Sequence, residues 1–140
     1  MKIEGSCHCG AVQYEAEVNP AAVSICHCSD CQTLSGAPYR ASVPARGDNF
    51  RLTRGTPRIY VKTADSGNKR ALGFCADCGT ALYSSEVADD PGFYMLRVGA
   101  IKQREQLVPT KQIFRDSAMP WSGDITGLES HARGVPMPKA

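Results

Sequence analysis

The sequence predicts a single, mainly β domain, and three observations support this prediction. The chain has 140 residues, the usual length of one domain. Short apolar segments alternate with clusters of glycine, proline, asparagine and aspartate, as in all-β proteins. Apolar residues make up 42% of the chain and charged residues 21%, an ordinary globular composition that argues against disorder.

The first strand has the clearest pattern. Between residues 11 and 18 the apolar side chains share one face and the polar side chains the other, the apolar set being Val12, Tyr14, Ala16 and Val18. This period of two predicts a half-buried strand, which Asn19-Pro20 ends. Seven further strands are predicted, with turn residues between them, at 39–43, 50–53, 58–62, 70–74, 80–83, 93–98 and 111–114.

One short helix is predicted among these strands. Ser29 and Gln32 fit a capping box with Ser29 as N-cap, and the helix would end near Ser35, before Gly36. Cys31 would then lie in the first turn, where the helix dipole lowers the pKa of a thiol. The alternative is a polar loop without a helix.

Cysteine is the unusual feature of the composition. The seven cysteines form three clusters, which are Cys7 with Cys9, Cys26 with Cys28 and Cys31, and Cys75 with Cys78. A disulfide framework would leave one thiol over, and cysteines two residues apart bridge each other only with strain. The clusters therefore favour a metal site, above all Zn²⁺ with four sulfur or nitrogen ligands.

The number seven divides naturally into four and three. The second cluster lies within six residues and forms a triplet, so the first and third clusters remain for a closed structural site. In an extended segment, Cys7 and Cys9 would share a face and reach one ion together. Three ligands leave one coordination position open, as in reactive zinc sites. A single zinc with the other cysteines inert is the alternative.

Charge and hydropathy argue against other classes of protein. The formal net charge of +2 is too mild for binding nucleic acid through bulk charge. No apolar run approaches the roughly 20 residues of a membrane span, and the first residues lack the apolar segment of a signal peptide. We therefore expect a cytoplasmic protein with reduced thiols and without nucleic-acid or membrane partners. The oligomeric state stays open.

Four motifs taken together resemble the glutathione-dependent formaldehyde-activating family, which includes centromere protein V. They are residues 5–12 (GSCHCGAV), 26–32 (CHCSDCQ), 35–37 (SGA) and 74–80 (FCADCGT), with a weaker continuation to Trp121. The ordered set is far more specific than any one motif. The resemblance implies a zinc-bearing fold of the Mss-four-like, β-tent type over residues 1–121. Residues 122–140 would form a tail packed on this domain or trailing from it.

The resemblance also implies a reaction. The family activity joins formaldehyde and glutathione into S-hydroxymethylglutathione, so the chain is expected to be a zinc-dependent carbon–sulfur lyase or synthase acting on a glutathione adduct. The implied partner is a small thiol, glutathione. The implied structural zinc ligands are Cys7, Cys9, Cys75 and Cys78, and the implied reactive zinc, at the catalytic site, is held by Cys26, Cys28 and Cys31. The alternative is a non-catalytic zinc-bearing module that binds glutathione, another thiol or a protein.

Three further features bear on this reading. His27 is expected to pack beside the site rather than bind metal. Because glutathione has two carboxylates, basic residues are candidates for binding it, with no pair singled out among Arg40, Arg46, Arg51, Arg54, Arg58, Lys69, Arg70 and Arg97. The chain departs from the family pattern at Gln112, where many relatives have histidine, so formaldehyde chemistry depends on the role of that position.

Overall fold

The structure is a computed structural model that describes residues 1–138. This part of the chain forms nine strands and one α-helix, with short 3-10 turns between them. The elements are β1 (Lys2–Ser6), β2 (Gln13–Val18), β3 (Ser24–Cys26), α1 (Ser29–Ser35), β4 (Arg40–Arg54), β5 (Arg58–Thr63), β6 (Lys69–Phe74), β7 (Ala81–Glu86), β8 (Phe93–Arg97) and β9 (Lys111–Ile113). The prediction of a mainly β fold with a short helix is confirmed.

The long strand β4 joins the two halves of the sheet. The strand order is β1-β2-β4-β8-β7-β6-β5, with every neighbouring pair antiparallel. The first half of β4 also pairs with β3, which pairs in parallel with β9. With 15 residues, β4 is long enough to contact β3 and β8 in its first half and β2 in its second. It therefore positions the cysteine-bearing end of β3 against the rest of the sheet.

The predicted turn at residues 47–49 is wrong, because β4 continues through it as an irregular stretch. Ala16 pairs with Phe50 whereas Val18 pairs with Ala45, so β4 has three more residues than β2 between these pairs. At Gly47 a side chain would not fit, since a Cβ atom would lie 2.0 Å from the carbonyl oxygen of Pro91. The glycine, aspartate and asparagine here make a bulge rather than a chain reversal.

Strands β1 and β3 were not predicted. The five residues of β1 carry only one large apolar side chain, Ile3, and its second buried position is Gly5, which lies opposite Tyr14. A Cβ atom at Gly5 would meet the Tyr14 ring, so the small residue accommodates the aromatic one across the strand pair. The three residues of β3 are too few to show a period.

The helix spans the predicted residues and ends at Gly36, which is in the left-handed conformation. The predicted N-cap is wrong, because Cys28 rather than Ser29 caps the helix. The Cys28 Sγ atom accepts the backbone N–H of Cys31 at 3.3 Å. The Gln32 side chain donates instead to the carbonyl oxygen of His27, at 2.7 Å. The sulfur atom of a predicted metal ligand thus takes the place of the expected hydroxyl.

The core lies beneath the apolar face of β2, which is buried as its alternation predicted. An aromatic cluster joins β2, β4, β7 and β8, with ring centroids 4.1 to 5.5 Å apart, and consists of Tyr14, Phe50, Tyr83 and Tyr94. Aromatic rings at this spacing attract each other beyond the burial of their area. The cluster therefore fixes the strands between the two halves of the sheet.

The last part of the chain lies outside the sheet. A 3-10 turn spans Pro120–Gly123, and the described residues after it form no helix or strand and are exposed. The division into residues 1–121 and a tail of 122–140 stays a prediction, and residues 139 and 140 lie outside the described part. Within residues 1–138, no helix is both long and apolar enough to cross a membrane.

Candidate metal centres and active site

Four thiols from two distant parts of the chain meet at the first candidate metal centre. The sulfur atoms of Cys7, Cys9, Cys75 and Cys78 all lie within 4.8 Å of one another. The Sγ atoms of Cys7 and Cys9 are 3.6 Å apart, and those of Cys9 and Cys75 are 3.7 Å apart. Ligands about 2.3 Å from one tetrahedral ion are separated by about 3.8 Å. The geometry of this four-cysteine cluster therefore fits Zn²⁺.

Both cysteine pairs of this cluster lie in tight turns. The Cys7–Cys9 segment is a turn, not the expected extended segment, and the Gly10 N–H donates to the Cys7 carbonyl oxygen at 3.1 Å. The Gly79 N–H likewise donates to the Cys75 carbonyl oxygen, at 2.9 Å. Both glycines have positive φ, 78° and 74°, a conformation that other residues rarely adopt. The chain can therefore turn under the sulfur atoms on both sides of the cluster.

Thr80 links the two turns. Its Oγ1 atom accepts the backbone N–H of His8 at 3.0 Å and lies 3.2 Å from the Cys78 sulfur, to which its hydroxyl can donate. Hydrogen bonds from Thr80 lower the pKa of the Cys78 thiol to about 5. This environment favours the thiolate, the form that binds metal.

The second centre is a cluster of three thiols. Cys26 ends β3, Cys28 caps α1 and Cys31 lies in its first turn, and their sulfur atoms also lie within 4.8 Å of one another. Among the described residues no fourth histidine, cysteine or carboxylate joins them. All three are partly exposed, so the three-cysteine cluster is open on one side.

Burial and neighbouring thiols oppose the expected effect of the helix dipole on Cys31. Burial, followed by the neighbouring thiol of Cys28, raises the pKa of Cys31 to about 12. Burial also opposes ionisation of Cys28, but hydrogen bonds from Cys31 and Cys26 and the charge of Lys62 together outweigh it and lower the Cys28 pKa. The thiolate is therefore favoured more at Cys28, which caps the helix, than at Cys31 in its first turn.

A cavity of about 410 Å³ opens beside the three-cysteine cluster. The strand register explains its lining, because side chains of directly paired residues project from the same face of a sheet. Cys26 pairs with Arg40, and Ser42, two residues further along β4, pairs with Arg97. The same face continues through Ser84, Leu72 and Arg70 to Lys62 on β5.

Positive charge dominates the interior of this cavity. Arg40 is 7% exposed and Arg97 is 9% exposed, and neither forms an ion pair within residues 1–138. The Nη1 atom of Arg97 donates to Ser42 Oγ at 2.8 Å, but its buried Nε has no partner. Burial, and then the charge of Arg40, lowers the pKa of Arg97 to about 9. Arg97 is thus still charged at neutral pH.

An ion pair closes the rim of the cavity over the helix. Lys62 Nζ lies 2.5 Å from the Asp30 carboxylate, and the lysine side chain is only 18% exposed. Asp30 directly precedes Cys31, so the pair ties the ligand-bearing turn of α1 to β5. The positive charge of Lys62 is therefore already compensated, in contrast to that of the two buried arginines.

His27 lies beside the site but is not one of its clustered donors. It is almost fully buried, its ring contacts Tyr39, and its Nε2 atom donates to Gln112 Oε1 at 2.9 Å. The backbone N–H of His27 also donates to Ile113, which places β9 next to the cluster. Gln112, the departure from the family pattern, therefore contacts the site through His27, and it does not line the cavity.

A larger cavity of about 1020 Å³ lies beside the four-cysteine cluster. It contains one cluster sulfur, that of Cys7, which is 3% exposed and already surrounded by three other thiols. A substrate there would have no open ligand position to reach. The smaller cavity is therefore the better candidate for an active site.

Comparison with known proteins agrees with these observations. The sequence model described as "Glutathione-dependent formaldehyde-activating enzyme" matches residues 2–117, which include all seven cysteines. The chain belongs to this family. The expected family resemblance is thereby confirmed over most of the chain.

Two relatives in this comparison share part of the sequence. A protein of Halomonas elongata, provisionally named a glutathione-dependent formaldehyde-activating enzyme, is 31% identical over 88 residues, or 59% of this chain and 55% of its own. An uncharacterized lyase of Schizosaccharomyces pombe is 30% identical over 84 residues, or 57% of this chain and 55% of its own. The chain thus matches only about half the length of each relative.

A crystal structure of a Rhodobacter sphaeroides protein, a structural genomics target, has the same fold. Its TM-score with this chain is 0.60 at 24% sequence identity, and the match covers 78% of this chain and 98% of the other. The family model thus places the chain in a family in which one of the two relatives is named a lyase, and the two cysteine clusters have the donor sets that zinc takes.

Proposed function

We propose that the chain is a zinc-dependent carbon–sulfur lyase or synthase that acts on a glutathione adduct at the three-cysteine cluster. The observation that carries this proposal is the open donor set. Three thiols, from Cys26, Cys28 and Cys31, converge at the edge of a cavity, with no fourth donor in the described part of the chain. A structural zinc site would be closed by a fourth ligand, as the other cluster is.

The two clusters have different tasks in this proposal. Cys7, Cys9, Cys75 and Cys78 hold a structural ion that joins two hairpins. Cys26, Cys28 and Cys31 hold the reactive ion, and Zn²⁺ there would accept a substrate thiol and keep it deprotonated at neutral pH. The remaining tasks, binding and orienting the substrates, belong to the side chains of the cavity.

The reaction is an addition without a change of oxidation state. The glutathione sulfur attacks the carbon of formaldehyde, a C–S bond forms, and the carbonyl π electrons move to the oxygen. That oxygen takes up a proton equivalent to the one lost by the thiol, which gives S-hydroxymethylglutathione. The buried guanidinium groups of Arg40 and Arg97 make the cavity electropositive, so they favour the charge that develops on the oxygen.

The test is the rate of exchange between formaldehyde with glutathione and S-hydroxymethylglutathione, measured by NMR with the zinc-loaded protein. The uncatalysed reaction without protein is the essential control, because it proceeds by itself. We expect acceleration by the wild-type protein and its loss in Cys31→Ser. A second control is wild-type protein from which the metal has been removed and restored, because it shows any effect of the metal-loading procedure itself.

Two results would contradict the proposal. If the zinc-loaded protein does not accelerate the exchange, formaldehyde is not its substrate, and binding of glutathione without acceleration would favour the carrier alternative. If Cys31→Ser folds, lacks the second ion and still accelerates the exchange, the reaction does not occur at the three-cysteine cluster.

A further inference from the structure

The two buried arginines of the cavity lack the partners that buried charges normally have. Arg40 and Arg97 are each less than a tenth exposed. Buried arginine is usually paired with a carboxylate, because an uncompensated buried charge is costly. Within residues 1–138 neither residue forms an ion pair, and the only side-chain hydrogen bond of the two is that from Arg97 to Ser42.

The two arginines and the three-cysteine cluster share one face of the sheet. Arg40 lies directly opposite Cys26 on the neighbouring strand, and both arginines line the cavity with all three thiols. The acidic groups of this cavity do not offset them. Asp30 is paired with Lys62, and Asp65 lies at the exposed rim.

The unused N–H donors of the two arginines, rather than an excess of charge, point to a further ligand. Three thiolates on Zn²⁺ have a net charge of about −1, and a substrate thiolate would bring it to about −2, which the two guanidinium groups balance. Within residues 1–138 the donors of these groups are nevertheless left largely without acceptors, and the buried Nε of Arg97 has none. Arginine presents parallel N–H donors that match the two oxygens of a carboxylate.

We propose that Arg40 and Arg97 form a carboxylate-binding site that positions an acidic substrate beside the three-cysteine cluster. This inference rests on the proposed function and narrows it. The substrate would then carry a carboxylate close enough to its reacting atom for both groups to lie in this one cavity. The carboxylate belongs either to the thiol, as in glutathione, or to the carbonyl compound, as in glyoxylate.

The test uses the full chain with Co²⁺ in place of Zn²⁺, because the visible spectrum of cobalt reports each sulfur that binds it. Glutathione is titrated against its diethyl ester, which keeps the thiol but loses both carboxylates. We expect the wild-type protein to bind glutathione at least tenfold more tightly than the ester. In Arg97→Gln and Arg40→Gln that preference should fall to about unity, while the ester binds as it does to the wild type.

Matched variants separate charge from shape and from folding. Arg58→Gln removes an exposed arginine of β5 that does not line the cavity, and it should keep the full preference. Arg97→Lys keeps the charge without the paired donors and should retain part of the preference. Circular dichroism identifies any variant that does not fold. If Arg97→Gln does not fold, Arg97→Lys is used in its place.

A second set of titrations distinguishes the source of the carboxylate. Glyoxylate and its methyl ester are added to the cobalt protein already saturated with the glutathione ester. An arginine-dependent preference for glyoxylate assigns the carboxylate to the carbonyl compound, and an arginine-dependent preference for glutathione assigns it to the thiol. Either result supports the carboxylate site.

The possible failures can be told apart. If glutathione and its ester bind the cobalt site equally well in the wild type, and glyoxylate shows no preference, the carboxylate site is wrong although the thiol site stands. If Arg97→Gln weakens cobalt binding and affects both thiols equally, the arginine serves only to balance the metal charge, and the inference is wrong. If neither thiol changes the cobalt spectrum, the proposed function itself fails.

Discussion

At the scale of single residues, cysteine occurs in two different settings in this protein. Cys75 is 1% exposed and holds together parts of the chain 66 residues apart, through its contact with Cys9. Cys31 belongs to a cluster formed within six residues, at the edge of a cavity. Metal bound across distant segments contributes its binding energy to folding, whereas metal bound to a local loop contributes less.

We therefore expect Cys75→Ser to abolish folding and Cys31→Ser to preserve it. The free energy of a structural zinc site, about 10–16 kcal/mol, is as large as the whole stability of a domain, about 5–15 kcal/mol. Thermal unfolding and the zinc content of the purified protein check both variants. Cys31→Ser should retain one zinc per chain and a cooperative transition. If it unfolds as completely as Cys75→Ser, the closed and open sites have been assigned wrongly.

The residues of the candidate site differ in how far the sequence predicts them. The grouping of the seven cysteines follows from their spacing and their odd number, and the structure brings together the two groups that the spacing suggested. The choice of Arg40 and Arg97 among eight basic candidates does not follow from sequence. It depends on the register of β3, β4 and β8, which places both on the face of Cys26. No local pattern encodes that register.

At the scale of elements, the ion pair between Asp30 and Lys62 links α1 to β5. The helix has seven residues and no fully buried side chain, so packing alone fixes it weakly. Because the pair is partly exposed, its effect on global stability is below about 1 kcal/mol. Its effect on the three-cysteine cluster should be larger, since it holds the turn that carries Cys28 and Cys31.

We expect Asp30→Asn to release metal from the three-cysteine cluster several-fold faster, with an almost unchanged unfolding temperature. The measurement is the rate of zinc transfer to a colorimetric chelator. We expect zinc to be released in two phases, a fast one from the three-cysteine cluster and a slow one from the four-cysteine cluster. The rate of the slow phase should not change in Asp30→Asn. Asp65→Asn is the matched control, because Asp65 lines the same cavity without an ion pair in the described structure. Equal rates in the wild type and Asp30→Asn would show that the ion pair does not hold the helix.

The bulge in β4 gives a second prediction at this scale. Gly47→Ala would place a methyl group against the backbone oxygen of Pro91, so the backbone of β4 or of residues 89–92 must shift. We expect a loss of about 1–3 kcal/mol in the free energy of unfolding, as for other overpacked positions. Denaturant unfolding measures it. Gly127→Ala, where nothing lies within 4 Å, should change stability by less than 0.5 kcal/mol in either direction, as surface substitutions do.

The elements also show why strand prediction succeeds in part. The strand β2 was predictable because one face is buried and the other is not, so its alternation is visible in the sequence. The break at 47–49 was misread, because turn residues and bulge residues have the same composition. The strand β3 contributes Cys26 to the site, but its identity depends on pairing with β4 and β9, which local sequence does not show.

At the scale of the whole molecule, the four-cysteine cluster connects parts of the sheet that are not neighbours. Cys7 and Cys9 lie in the turn between β1 and β2, and Cys75 and Cys78 lie in the turn between β6 and β7. In the strand order β4 and β8 separate these hairpins, so the sheet must curve to bring the two turns together. The aromatic cluster lies between the halves, and an ion held by the four thiols would fix the curvature at the edge.

This arrangement predicts that the two ions leave in separate steps with different consequences. Limited chelation should remove the ion of the three-cysteine cluster first, because that cluster is partly exposed and lacks a fourth protein ligand. Near-ultraviolet circular dichroism, which reports the packing of Tyr14, Tyr83 and Tyr94, should hardly change in this step. Removal of the second ion should unfold the chain cooperatively, since it releases both hairpins at once. A single step that removes both ions and the aromatic signal together would mean that one cooperative unit includes both sites, and that the three-cysteine cluster supports the fold as much as the four-cysteine cluster does.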